Sequence, residues 1–244
     1  MGGIVLVTGA SRGIGRATAA AFGATGWTTV LAARDREALE QAAREIGGIA
    51  VPTDVTDPQA VSSLFGKIEA DQGRLDAVFN NAGSFTAATD PGDLSFADWR
   101  RVMSVNLDGA FLIASGAFAL MKRQNPQGGR IINNGSISAH VPRPMSVAYT
   151  ASKHAITGLT KSIALDGRAY GISASQIDIG NAATDMTARM PQGVPQADGS
   201  VAPEPVMDAR HVADAVVRTA ELPPEANVLF QMIMATNMPF VGRG

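Results

Sequence analysis

Cysteine is absent from the 244-residue chain. That excludes disulfides, thiol nucleophiles and cysteine-type metal sites. Histidine is scarce: His140, His154 and His211 stand apart without metal-ligand spacing, so no metal is assigned. Neither sign of charge dominates. The 20 basic and 22 acidic residues leave a net charge of −2, which gives no electrostatic footprint for nucleic acid or an anionic membrane. No run approaches ~20 uninterrupted apolar residues, so no membrane span is expected. Met1 to Val7 has no basic leader region and only a short apolar run, so a signal peptide is not expected and the cytoplasm is the default.

What the chain does have is apolar content, 45% against 17% charged, enough for a sizeable core. Short apolar runs at 4–7, 28–32, 49–51, 75–79, 130–133, 173–177 and 228–233 read as strands. Helical patterns alternate with them at about 13–25, 36–46, 58–71, 96–123, 148–170 and 209–221. Alternation of this kind predicts βαβ units with right-handed crossovers. The fold class is therefore α/β, a doubly wound parallel sheet of about seven strands with helices on both faces. No repeat, linker or low-complexity tract divides the chain, so one domain over 1–244 is expected. Residues 182–208, rich in Gly, Pro, Gln and Met, read as a long loop serving as a substrate lid.

The first strand runs into Thr8-Gly9-Ala10-Ser11-Arg12-Gly13-Ile14-Gly15. Glycines where a strand becomes a helix let backbone N–H groups approach an anion, and the helix N-terminus adds partial positive charge. The spacing is Gly-x-x-x-Gly-x-Gly, not the common Gly-x-Gly-x-x-Gly. After the first strand of such a sheet it predicts a Rossmann-type dinucleotide site with Gly9, Ser11, Arg12, Gly13, Ile14 and Gly15 along the phosphates. The second strand ends in Ala33-Arg34, where NAD enzymes of this fold tend to carry an acid. Arg34 and Arg12 together suit a 2′-phosphate, so NADP(H) is the expected cofactor and NAD the weaker candidate. Asp35 reads as the cap of the next helix.

Tyr149 and Lys153 are four apart in a helical pattern and share a face. A phenol titrates near ~10, and a neighbouring ammonium favours the phenolate, which makes the tyrosine usable as an acid–base near neutral pH.

With Thr8–Gly15, Asp54-Val55, Asn80-Asn81-Ala82-Gly83, Asn106, Ser136 and the Tyr149–Lys153 pair in this order, the chain resembles the short-chain dehydrogenase/reductase family over nearly its whole length. The resemblance implies Tyr149 as general acid–base and Lys153 as the group that lowers its pKa and holds the nicotinamide ribose. It implies Ser136 as donor to the substrate oxygen and Asn106 as holder of a relay water. Asp54 and Val55 would meet the adenine. Asn81, Ala82 and Gly83 would lie along the cofactor, with Asn80 supporting the strand. Ser138 also stands nearby, but the family's serine lies 13 positions before the tyrosine, which is Ser136.

After the sixth strand the family's Val-Asn and Pro-Gly become Ala174-Ser175 and Ile179-Gly180. Gly180, Ala182 and Thr184 remain as candidates near the nicotinamide and pyrophosphate. The family's Asp-Gly-Gly after the last strand is missing. Met186, Met190, Val194, Val201, Val206 and Met207 of the lid, with His140, Val141, Pro142 and Met145, are expected to wall the substrate pocket. No charged cluster for a phosphate or carboxylate is evident, so the expected substrate is an uncharged, mostly apolar carbonyl or alcohol compound. A 3-oxoacyl-thioester reductase, whose acidic carrier would meet Arg143, Arg189 or Arg210, and a non-catalytic dinucleotide-binding regulator stay open. Apolar residues around the helices from Phe96 and Ala148, including Phe111, Phe118, Ile156, Leu159 and Ile163, predict a homo-oligomer, a tetramer.

Overall fold

Each short apolar run becomes a strand; the central ones are buried on both sides, while the edge strands are only partly covered. In the computed structural model, which describes residues 2–241, β1 (Ile4–Thr8) pairs with β2 (Thr28–Ala33), and β2 with β3 (Ile49–Pro52). On its other side β1 pairs with β4 (Ala77–Asn80), followed outward by β5 (Gly129–Asn134) and β6 (Ile172–Ile179). A two-residue hairpin, β7 (Val194–Pro195) with β8 (Val201–Ala202), stands apart from the sheet. The last strand, β9 (Phe230–Ile233), lies on β6. The sheet order is thus β3-β2-β1-β4-β5-β6-β9, parallel throughout. Chain order reverses between β1 and β4, and ligands of open α/β sheets bind outside the strand ends at such a switch.

The alternating pleat divides the core into two layers. Leu6, Val78 and Ile131 face α3 (Pro58–Gln72), α5 (Gly109–Arg123) and α6 (Val147–Asp166) through Leu64, Phe65, Ile113, Leu120 and Ile163. Val7, Phe79 and Ile132 face α1 (Gly13–Ala24), α2 (Arg36–Ile46) and α7 (Ala209–Ala220) through Phe22, Leu39 and Val216. Burying one such side chain contributes roughly 1.5–3 kcal/mol.

Local chemistry sets the helix starts. The side chains of Asp35, Asp57 and Asp208 accept backbone N–H groups at the starts of α2, α3 and α7, and Ser95 does so at α4 (Phe96–Met103). Asp35 is therefore a cap, as its position suggested. Helix α1 has neither a side-chain cap nor an acidic residue in its first turn.

The structure differs from the expected pattern in two places. The helix expected over 96–123 is broken by a π-helical turn, Ser104–Asp108, between α4 and α5. By length and composition alone Phe96–Arg123 would suit a membrane, yet Ile113, Ala117, Leu120 and Met121 spend its apolar character in the core. The segment expected as an irregular lid contains the β7–β8 hairpin and a 3-10 turn at Asp185–Thr187. Its two ends are tied by a bridge between Ala182 and Met207.

Candidate active site

Backbone at the ends of β1, β4 and β5 forms the floor of the site. Gly9 has a φ of 65°, and a Cβ there would stand 3.0 Å from Asn81 Nδ2 and 3.1 Å from Ala82 Cα, so only glycine lets these strand ends meet. Thr8 Oγ1 accepts the amides of Asn81 (2.8 Å) and Ala82 (2.9 Å). Asn81 Nδ2 donates to the Thr8 carbonyl at 2.8 Å, and Asn134 Nδ2 donates to Asn81 Oδ1 at 2.7 Å. Asn80 turns the other way, donating to the Ala110 carbonyl at 2.8 Å and to Asn133 Oδ1 at 3.1 Å, which ties β4 to α5 and β5.

A cleft of about 810 Å³ runs along these strand ends. One end is lined by Arg12, Arg34, Asp54 and Val55, the middle by Ser11, Gly13, Ile14, Gly15, Ala82 and Gly83. The far end holds Ser136, Tyr149 and Lys153. Of the lid residues, Ala182, Met186 and Met190 also line the cleft, and Thr184 lies against Gly13 of the glycine turn. Arg12 and Arg34 are exposed, and among the described residues neither is paired with a carboxylate. Burial works to raise the Asp54 pKa. Hydrogen bonds from the Thr56 amide (2.9 Å) and hydroxyl (2.8 Å), with the nearby Arg34 charge, outweigh it and hold the carboxyl below its ordinary value.

At the chemical end, the Ser136 hydroxyl meets the Tyr149 phenol and accepts the Ser138 amide at 3.1 Å. Lys153 is 5% exposed; its Nζ donates to the Asn134 carbonyl at 2.7 Å and stands 5.5 Å from the centre of the Tyr149 ring. Burial depresses its pKa from 10.5 to about 8, against the raising influence of Asp178. Tyr149 departs from the sequence-based expectation: its pKa is raised, because burial of the phenol outweighs the lowering effects of the Ser136 hydroxyl and the Arg143 charge. The Lys153 ammonium is held toward Asn134 and is itself easily discharged, so it does not supply the expected depression in the protein alone.

Asn106 lies behind the cleft, in the π-helical turn. Its Oδ1 accepts the Ser84 amide at 2.7 Å, and its Nδ2 donates to the Ser84 carbonyl at 2.9 Å and to Ser152 Oγ at 3.1 Å. Gly180 is off the cleft wall, where a Cβ would meet Met238 Sδ at 2.6 Å and Met234 Cβ at 2.7 Å. Among the expected pocket walls, Met145, Met186 and Met190 line the cleft, while His140, Val141, Pro142, Val194, Val201, Val206 and Met207 do not. Met145 holds a φ of 57°, a left-handed conformation rare for such a side chain.

Two arrangements escaped the sequence reading. Arg143 Nη2 donates to Glu204 Oε2 at 2.6 Å and to Asn181 Oδ1 at 2.7 Å, so a buried ion pair straps the lid to the loop before α6. Asp178, 2% exposed, sits in β6 directly behind Ser136. A carboxylate between Ile177 and Ile179 of an expected core strand was the available signal.

The sequence matches the family model of the short chain dehydrogenases over residues 3–194. It is 38% identical over 191 residues to a 3beta-hydroxysteroid dehydrogenase of Mediterraneibacter gnavus, covering 76% of this chain and 68% of that protein. It is 36% identical over 193 residues to a 3-oxoacyl-[acyl-carrier-protein] reductase of Synechocystis, covering 77% of each. Among solved structures, a metagenomic short-chain oxidoreductase in complex with NADP superposes with a TM-score of 0.80 at 28% identity, covering 96% of both chains.

Proposed function

Because the chain belongs to the short-chain dehydrogenase/reductase family, oxidoreductases acting on CH–OH and C=O groups, we propose that it transfers hydride between NADP(H) and a small carbonyl or alcohol substrate with Tyr149 as general acid–base. One observation carries the reading: Ser136, Tyr149 and Lys153 converge at one end of a cleft whose other end presents Arg12 and Arg34.

The residues present fit a dinucleotide. Helix α1 opens onto the cleft without a cap, so the first-turn N–H groups are free for a pyrophosphate. Arg12 and Arg34 would hold the 2′-phosphate, and Asp54 and Val55 the adenine side. Asn81, Ala82, Gly83, Ala182 and Thr184 would flank the chain between, and Lys153 the nicotinamide ribose. A nicotinamide bound there would supply the hydride. Ser136 orients the substrate oxygen, and Tyr149, whose raised pKa keeps its proton at neutral pH, delivers that proton to the oxygen in reduction. Asn106 braces the helix that carries Lys153 through Ser152.

Met145, Met186 and Met190 at the mouth favour an uncharged, mostly apolar substrate, and the similarity to a hydroxysteroid dehydrogenase points the same way. The relative from Synechocystis supports the second reading, a 3-oxoacyl-thioester reductase. Against that reading, two of the arginines available for an acidic carrier are engaged already: Arg143 with Glu204 and Arg210 with Asp208. We also propose a homotetramer built through α5 and α6, where Phe111 is 54% exposed beside Leu112 and Leu159.

The test is NADPH oxidation with a panel of ketones, aldehydes, quinones and acyl thioesters, run on the parent and on Tyr149→Phe. Phenylalanine keeps the ring and deletes the transferable proton. Turnover should fall by far more than tenfold while nucleotide still binds; a loss of only ~1.4 kcal/mol in barrier would remove Tyr149 from its role. A regulator without turnover would oxidise no NADPH with any member of the panel.

A further inference from the structure

Asp178 is a buried carboxylate that the proposed chemistry does not use. Its Oδ1 accepts the Ser136 amide at 3.0 Å and Gln176 Nε2 at 2.8 Å. Its Oδ2 is 2.8 Å from His140 Nε2. Ser136 and His140 flank the short 3-10 turn Ile137–Ala139, so one carboxylate grips both ends of the turn that carries the serine. The neighbouring Gly135 completes the fit, because a Cβ there would collide with Asp178 Oδ1. His140 is 42% exposed along its side chain and closes the cluster toward solvent. The other ionisable groups bearing on this carboxylate's region are Lys153 and Tyr149 from α6 and Arg143 from the preceding loop.

Such a site is costly. An isolated carboxylate so far from water loses much of its solvation, and only donors aimed at both oxygens offset that. A buried charge retained behind a serine, on a rigid strand and held by three donors, has the form of a support that fixes the orientation of a reacting group.

We propose that Asp178 is a positioning residue: through the Ser136 amide and His140 it clamps the 136–140 turn so that the Ser136 hydroxyl stays against the Tyr149 phenol. It acts through Ser136 and touches neither substrate nor cofactor. The proposal rests on the redox reading above and adds to it what holds the serine in place. Asp178 has a second, electrostatic effect. Its negative charge favours the protonated forms of both Lys153 and Tyr149, so removing it moves the basic limb of the pH–rate profile for ketone reduction to lower pH.

The experiment compares Asp178→Ala, Asp178→Asn and His140→Ala with the parent, using the ketone that the parent reduces best. Asp178→Ala should lower kcat about 10- to 100-fold with little change in KM, since misplacing a reacting group by ~1 Å costs on that order. Asp178→Asn keeps an acceptor for the Ser136 amide and should recover kcat to within about threefold, while its basic limb still moves down by about half a pH unit or more. His140→Ala, at an exposed position, releases one end of the turn without emptying the core and should lower kcat several-fold; it decides the matter if Asp178→Ala does not fold. Parent-like kcat in both alanine variants would overturn the proposal. So would a loss in Asp178→Asn as large as in Asp178→Ala together with an unmoved pH limb. A parent that reduces no carbonyl compound at all would instead overturn the redox reading, and this proposal with it.

Discussion

Replacing Lys153 with methionine should make the protein more stable and inactive. The ammonium is 5% exposed, and burial takes its pKa from 10.5 to about 8. At ~1.4 kcal/mol per pH unit, keeping that charge in the fold costs about 3 kcal/mol below pH 8. Methionine has a similar volume and no charge, but it strands the Asn134 carbonyl that now accepts from Nζ at 2.7 Å, which returns about 1 kcal/mol of the gain. A net stabilisation of roughly 2 kcal/mol at pH 7 follows. The sign of the pH dependence is fixed. Between pH 8 and 10.5 the folded lysine has lost its proton and the unfolded lysine has not, so the unfolded state binds more protons and the parent gains stability as pH rises. The advantage of Lys153→Met should therefore shrink by about 2 kcal/mol between pH 7 and pH 9.5. Urea unfolding of both proteins at the two pH values, without nucleotide, measures it. A variant less stable than the parent at pH 7, or an advantage that does not change with pH, would refute the reasoning.

Arg34→Ala should weaken NADPH binding about 10- to 150-fold, one charge-assisted hydrogen bond at 1.4 kcal/mol per decade, and leave NADH nearly unchanged; paired titrations with equal losses would reject the 2′-phosphate assignment. Arg143→Met should destabilise the fold by roughly 1.5–3 kcal/mol in urea, since Glu204, 1% exposed along its side chain, loses the charge-assisted hydrogen bond from the guanidinium. Arg143→Met combined with Glu204→Leu should recover much of that loss; no recovery would mean that the pair is not what holds the lid. Light scattering at micromolar concentration should give four times the 25.2 kDa chain mass, and a monomer mass would exclude the packing proposed for α5 and α6.

The strands were legible because a parallel sheet covered on both sides needs continuous apolar runs, and Ile4–Thr8 and Gly129–Asn134 differ from the expected ranges by only a residue. The glycine turn and the Tyr149–Lys153 pair were legible as neighbours because their spacing sets their placement, and the structure brings both to the cleft. Four features were hidden. The π-helical turn at Ser104–Asp108 carries Asn106, which is bonded to Ser84 and Ser152, and helical periodicity does not carry that information. The anchor of Lys153 is the backbone carbonyl of Asn134, which is independent of side-chain type. Arg143 and Glu204 lie 61 positions apart and meet only when the lid folds back. The raised pKa of Tyr149 likewise depends on enclosure, which a count of neighbouring charges along a helix does not register.

The bare start of α1 has a consequence for the life of the protein. Asp35, Asp57, Ser95 and Asp208 finish the starts of four other helices, but among the described residues α1, like α6, has no such side-chain cap. On the proposed function, a dinucleotide pyrophosphate lodged there would complete the helix as an internal aspartate does, and ligand occupancy would become a component of folding. At a nucleotide concentration 100 times Kd the bound form is favoured by about 2.7 kcal/mol, roughly a hundredfold fewer unfolded chains exposed to proteases. Starving a cell of that nucleotide would thus shorten the half-life of the enzyme as well as its turnover, and would lower its abundance without any change in synthesis.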